Sequence, residues 1–225
     1  DLRGLAIGTF HAICARILRR EAPAIGLNPA FNIFDENDQL AVVKRALEAL
    51  KLDEKRFRPQ TLRSTISKAK NEMITPQEYA ARTYWEEVAG RVYSRYQEIM
   101  LANSALDFDD LLMQTVLLFR QAPAVREEYQ ERYQHILVDE FQDTNSAQYE
   151  LVRILCGRWR NLFVVGDEDQ SIYRFRGAQP KVFSELRNEM PAAGRLPLST
   201  NFRSQGPIIE FVNALFAKAM TPYEP

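Results

Sequence analysis

Cysteine and histidine are nearly missing, with two of each in 225 residues. Cys14 and Cys156 lie far apart and form no Cys-x-x-Cys pair, which argues against a disulfide framework or a redox pair. The same scarcity argues against a zinc site. Both thiols are expected to be free and buried, in a reducing cytoplasm. Long apolar runs are also absent, and crossing a bilayer takes roughly 20 such residues. The longest stretch, Leu111 to Phe119, is broken by Gln114 and Thr115. Asp1-Leu2-Arg3-Gly4 does not read as a secretory signal, and no membrane partner is expected. There is no internal repeat, no low-complexity tract and no Gly-x-x-x-x-Gly-Lys-Ser/Thr loop. An excess of charge is lacking too: the net charge is −1, which counts against a simple nucleic-acid-binding module. What remains is a globular chain, 46% hydrophobic, with room for one large domain or two small ones.

The charge is unevenly spread. Residues 51–70 carry Lys51, Lys55, Arg56, Arg58, Arg63, Lys68 and Lys70 against only Asp53 and Glu54, a local excess of five positive charges. Two readings stand: a solvated helical face, or a phosphate-tracking surface beside a nucleic-acid path.

Ile136-Leu137-Val138 runs straight into Asp139-Glu140. Such a run reads as a buried parallel strand whose carboxyl end presents charge. Open α/β sheets bind ligands at those ends. One acid can hold a hydrated Mg²⁺ and its neighbour can orient or deprotonate a water, the division of labour that hydrolyses a nucleoside triphosphate. The two acids could equally cap a following helix. Leu162-Phe163-Val164-Val165 ends in Gly166-Asp167-Glu168-Asp169-Gln170 and predicts a second strand of the same sheet. Leu198-Ser199-Thr200-Asn201-Phe202-Arg203-Ser204 follows a short run that reads as a third.

Along the chain, Leu5-Ala6-Ile7 predicts a short strand. Helices are expected over 11–20, 38–50 and 61–73, with another starting at Thr75-Pro76. Trp85, Val88, Val92, Tyr96 and Ile99 form an amphipathic stripe. Nothing between 21 and 103 reads as strand. Asp107 is expected to cap the next helix, and helices continue to about 133. Strands at 136–139 and 162–166 flank a helix over 147–155, and a helix over 207–220 closes the chain. This order predicts an α/β fold: a parallel sheet core interrupted by a helical subdomain.

Taken in order, Asp139-Glu140-Phe141-Gln142-Asp143-Thr144-Asn145, the segment Gly166 to Ala178 and Leu198 to Ser204 resemble the UvrD/Rep type of superfamily 1 DNA helicase. Gly8-Thr9-Phe10-His11 and Ala105 to Leu112 fit the same family. The resemblance covers nearly the whole chain and is weakest over about 21–103. It implies a RecA-like P-loop NTPase core over 1–20 and 104–204, an all-helical insertion over 21–103, and the start of a second motor domain over 205–225. The phosphate-cradling loop and the first strand would lie upstream of Asp1. The chain therefore reads as a fragment of an N-terminal motor domain, expected to be inactive by itself.

The resemblance also distributes roles. Asp139 would hold Mg²⁺ through its water shell, and Glu140 would position the attacking water. Gln170 would sense the terminal phosphate of ATP, accepting from the water or donating to a phosphate oxygen. Gln142 and Asp143 would support them. Arg203 would be an arginine finger, a device worth about 10³–10⁵ in rate. Phe202, where the family usually has Tyr, would stack on adenine without the hydroxyl. Tyr173, Phe175 and Arg176 would grip single-stranded DNA, each stacked base contributing about 1–3 kcal/mol. Phe175 stands where many relatives have Trp. Thr9 and His11 would bond DNA phosphates. Plainer readings remain for several: a surface turn for Gln170, a helix-end ion pair for Arg203, a core ring for Phe175, a structural His11. The implied whole is an ATP-dependent 3′-to-5′ helicase and single-stranded DNA translocase, using ATP and Mg²⁺. Its partners would be single-stranded and duplex DNA and the rest of the helicase chain. The alternatives are the motor subunit of a recombination helicase-nuclease and a non-catalytic DNA-binding module.

Overall fold

The computed structural model describes residues 5–157, 161–171, 178–198 and 200–219. They form two compact units, Asp1–Glu189 and Met190–Pro225. The first contains α1 (Phe10–Glu21), β1 (Asn32–Phe34), α2 (Glu36–Ala49), α3 (Pro59–Asn71), α4 (Tyr84–Ala102), β2 (Ala105–Asp107), α5 (Phe108–Gln121) and α6 (Pro123–Arg132). It continues with β3 (Ile136–Val138), α7 (Ser146–Cys156), β4 (Leu162–Val164) and α8 (Pro180–Glu189). The second unit contains α9 (Gly206–Ala219). None of the described helices is long and apolar enough to cross a membrane.

Several helices start where short polar side chains can take their free N–H groups, while α3 and α6 open on a proline with no side-chain cap. Asp35, Thr83, Asp107 and Asn145 each accept a backbone N–H at the third helical position of α2, α4, α5 and α7. Asp38, Glu86, Asp110 and Gln148 reach back to complete four capping boxes. Their apolar faces then pack into two clusters. One joins α2, α3 and α4 through Val43, Leu47, Leu62, Val88, Val92 and Tyr96. The other joins α1, α5 and α7 through Cys14, Leu18, Leu111, Val116, Phe119 and Leu151. Cys14 and Cys156 are free and buried, as expected, and burial pushes both thiols up to about 12.

Among the described residues the unit is mostly helical, with two separate two-stranded parallel sheets. β1 lies against β2 with Asn32 opposite Ala105 and Phe34 opposite Asp107. β3 lies against β4 with Ile136 opposite Leu162 and Val138 opposite Val164.

Five expectations are corrected. Leu5–Ile7 is not a strand, because its backbone finds no ladder partner among the described residues; Arg16 Nη2 donates to Ile7 O instead. The stretch over 21–103 is not all-helical: β1 lies inside it. Three residues carry no readable alternation, and the partner strand lies some 70 positions away. Thr75-Pro76 opens a turn, not a helix, because the Glu78 carboxylate takes both the Thr75 N–H and its hydroxyl. Residues 195–198 form no strand. The strand read as buried is covered on one face only. Val138 is buried while Leu137 and Phe163, side by side, are exposed, since only β3 and β4 pair here.

The basic stretch is corrected as well. Lys51, Lys55, Arg56, Arg58 and Lys68 are exposed, but Lys70 is 0% exposed and belongs to no surface. On α3 it continues the apolar stripe of Leu62, Ile66 and Ala69. Its Nζ lies 2.6 Å from Asp107 Oδ2 and 2.8 Å from Asp110 Oδ1. Tyr96 OH donates to Asp107 Oδ2 at 2.8 Å, and Gln97 Nε2 donates to Asp110 Oδ1 at 3.2 Å. Burial opposes the charge on Lys70, but the two carboxylates outweigh it and hold Lys70 above its ordinary value. Burial also opposes ionised Asp107, yet the Lys70 charge and the hydrogen bonds hold it below the carboxylate range. Asp110 is pushed the other way, up to about 7, by burial and then by the Asp107 charge.

Removing the ammonium would strand buried carboxylates, so Lys70→Met is expected to lower the unfolding free energy by about 3–5 kcal/mol in urea titrations. The raised Asp110 carboxyl binds its proton more tightly in the folded chain. Its contribution is full below the ordinary carboxylate range and is lost as pH rises through about 7. Urea midpoints of Asp110→Asn should therefore gain on those of the unsubstituted chain between about pH 4 and pH 8.

Candidate functional site

β3 and β4 run in the same direction and end together. The ladder continues past them, Val165 N–H donating to Val138 O at 2.9 Å and Phe141 N–H to Val165 O at 3.0 Å. Asp139-Glu140 and Gly166-Asp167 thus leave the sheet from one carboxyl edge. Phe141 anchors the first of these loops. It is fully buried, with its ring 6.3 Å from that of Tyr149 and 6.0 Å from that of Phe183. With Phe141 turned inward, Asp139 and Glu140 are left exposed. The Asp139 carboxylate accepts the Glu140 N–H at 2.9 Å. Glu140 sits in the left-handed region, φ 50° and ψ 43°. A non-glycine residue held there costs on the order of 1–3 kcal/mol.

The capping alternative for these acids fails. Glu140 makes no side-chain cap bond, and the helix that follows, α7, is capped by Asn145. Among the described residues, the Glu140 carboxylate and the second oxygen of Asp139 are left open to a ligand. Exposed hard carboxylate oxygens suit a hydrated Mg²⁺. Asp143 Oδ1, buried and without a hydrogen-bond partner, adds unused acceptor capacity two residues beyond Phe141.

The second loop is tied to the first. Gln142 is buried, and its Oε1 accepts the Asp167 N–H at 3.1 Å. Ser171 Oγ donates to Gln142 O at 3.3 Å. Asp167 Oδ1 accepts the Asp169 N–H at 3.1 Å, and its Oδ2 accepts Gln170 Nε2 at 2.6 Å. Gln170 is exposed at the end of a short 3₁₀ helix, Glu168–Gln170, on the same sheet edge as the acids.

Thr9 caps α1, accepting the Ala12 N–H at 3.3 Å. His11 is half-buried, edge-on to Phe108 with ring centroids 5.9 Å apart. Burial lowers its pKa against the pull of Asp109, which favours neutral imidazole. Phe202 and Arg203 belong to the second unit. Phe202 is 93% exposed. Asn201 Oδ1 accepts the N–H groups of Arg203 and Ser204, both at 2.9 Å, shaping the turn before α9. Arg203 is exposed and forms no ion pair among the described residues. Tyr173, Phe175 and Arg176 lie outside the described residues.

The family model for the UvrD/REP helicase N-terminal domain matches residues 1–191. The chain belongs to this family. The match ends beside the junction of the two units at Glu189 and Met190. Over 92% of its length the chain is 47% identical to the ATP-dependent DNA helicase PcrA of Bacillus subtilis strain 168, of which it covers 28%. It is 44% identical to the ATP-dependent DNA helicase PcrA of Staphylococcus aureus strain Mu50, covering 29%. The chain thus spans under a third of the length of these curated relatives.

In this member of the UvrD/REP family, sequence reasoning missed the buried ties behind the site. Asn145 Nδ2 donates to Asn71 Oδ1, and Asn71 Nδ2 donates to Asp109 Oδ1 at 2.9 Å. The segment that carries the acids is thus bound to α3 and α5. One signal was available: an Asp-x-x-Asp capping spacing at Asp107 and Asp110, with a lysine on a buried stripe of α3. Nothing in the sequence signalled the left-handed Glu140. Because that conformation suits glycine, Glu140→Gly is expected to leave stability unchanged or raise it by up to about 1 kcal/mol, read by urea denaturation.

Proposed function

We propose that this chain supplies the Mg²⁺–ATP hydrolysing edge of an ATP-dependent DNA helicase, built on a RecA-like P-loop NTPase core. The observation that carries the reading is the shared carboxyl edge of β3 and β4, with Asp139, Glu140 and Gln170 on loops joined through Gln142 and Asp167. The names of the relatives, ATP-dependent DNA helicases, support it. So do Leu137 and Phe163, apolar residues on an open face that a larger parallel sheet would cover on both sides. In this reading the core is drawn from 1–20 and 104–204, residues 21–103 are an insertion, and 205–225 open the second motor domain.

Asp139 would hold Mg²⁺, which when bound would supply neutralisation of charge on the phosphate oxygens. Glu140 orients the attacking water and takes its proton as oxygen attacks the terminal phosphorus. The bond to the bridging oxygen breaks, leaving ADP and inorganic phosphate. Gln170 reads the terminal phosphate. Arg203, exposed and without an ion pair among the described residues, neutralises charge on the transferred group, and Phe202 stacks on adenine. Tyr173, Phe175 and Arg176 stack on single-stranded DNA, while Thr9 and His11 meet its phosphates. Neutral His11 acts as a hydrogen-bond donor and not as a cation. Translocation runs 3′ to 5′, in the cytoplasm, on single-stranded and duplex DNA.

The 225 residues alone are expected to bind ATP–Mg²⁺ weakly in isothermal titration and to unwind no DNA. Micromolar affinity would overturn that part. In a protein of the relatives' length carrying this chain, DNA-stimulated ATP hydrolysis is expected. Glu140→Gln should remove it by at least about 10²-fold while ATP binding persists. Full turnover in that variant would rule out the role given to Glu140.

A further inference from the structure

We propose that Gln142 is a positioning residue that sets the orientation of Gln170 through Asp167. The proposal rests on the ATP-hydrolysing reading of the site and deepens it. The chain of contacts is continuous. Gln142 Oε1 takes the Asp167 N–H at 3.1 Å, and Asp167 Oδ2 takes Gln170 Nε2 at 2.6 Å. An ionised carboxylate only accepts hydrogen bonds. The amide face of Gln170 turned toward Asp167 must therefore be its NH₂, which directs its oxygen and its second N–H away from Asp167. The free oxygen is an acceptor suited to the hydrogen of an attacking water, and the second N–H of the same amide stays beside it.

Two further observations fit a built device. Gln142 is 6% exposed although its neighbours in the chemistry are open to solvent, so packing determines its rotamer. Gly166 leaves the space it occupies. A Cβ there would meet Gln142 Oε1 at 2.7 Å, Phe183 Cε2 at 3.1 Å and the Gln142 backbone N at 3.3 Å. A Cβ at 166 would therefore have to displace the Gln142 amide. Any side chain would lift that amide off the Asp167 N–H and release the turn that holds Gln170.

The test is a double-mutant cycle on DNA-stimulated ATP hydrolysis in a protein of the relatives' length that carries this chain. Gln142→Leu removes the acceptor, and Gly166→Ala displaces it without changing Gln142. Each is expected to lower kcat about ten-fold, the loss of one hydrogen bond's worth of orientation, with KM for ATP within about two-fold. In a Gln170→Ala background neither should lower kcat further, because the group they act through is gone. Equal losses with and without Gln170, or no loss at all, would overturn the proposal. Full turnover by Gln170→Ala, or no hydrolysis by the unsubstituted protein, would instead overturn the ATP-hydrolysing reading. A second arm is independent of activity. In the ¹⁵N-labelled 225-residue chain, both substitutions should move the Asp167 amide and the Gln170 side-chain NH₂ resonances. Unmoved Gln170 resonances would refute the coupling.

Discussion

Lys70 carries a full positive charge where no water reaches it, and the first unit is organised around that constraint. An isolated buried ammonium is too costly to persist, so its neighbours must be anionic and hydrogen-bonded. Asp107 and Asp110 meet the need from the end of β2 and the first turn of α5, and Tyr96 and Gln97 complete the set from α4. One ammonium thereby holds α3, α4, β2 and α5 in a single arrangement. Asp107 does this while its other oxygen accepts the Asp110 N–H and caps α5. The next residue of α3, Asn71, carries the constraint outward to Asp109 and to Asn145. Asn145 in turn starts α7, directly after the acid loop.

The site inherits its order from this scaffold on one side and from the β3–β4 ladder on the other. Phe141 is turned inward between Tyr149 and Phe183, which leaves Asp139 and Glu140 outward. The left-handed Glu140 makes that sharp reversal possible, and Asp139 steadies it by accepting the Glu140 N–H. Gln142 then bonds across to the second loop. The acids are thus open to solvent while the groups behind them are already bonded.

The acid-tipped strands were legible because three apolar residues ending in charge are a local pattern, and so was the capping role of Asp107. The amphipathic stripe from Trp85 to Ile99 became α4 for the same reason, since helical periodicity is written within a few turns. β1 was not legible. Asn32-Ile33-Phe34 is too short for a period, and it is a strand only because Ala105-Leu106-Asp107 lies beside it. Lys70 misled by its type: a lysine among six other basic residues reads as surface, and only the fold brings Asp107 and Asp110 to it. Leu5-Ala6-Ile7 misled in the opposite sense, being apolar enough for a strand that has no partner among the described residues.

By itself the sequence determined most of the helices, the Asp107 cap and the order of the chemistry-bearing blocks, because each depends on residues within about one helical turn or one strand. It determined family membership too, through blocks whose wording survives without coordinates. Tertiary structure alone decided which carboxylates are buried partners and which are free. Asp107 and Asp139 are alike as letters at strand ends, yet one faces an ammonium and the other faces solvent. It also decided that Gln142 and Gln170, 28 positions apart, belong to one hydrogen-bonded chain. Long-range contacts of this kind arise only when two strands pair and bring distant loops to a common edge, and no local pattern encodes that.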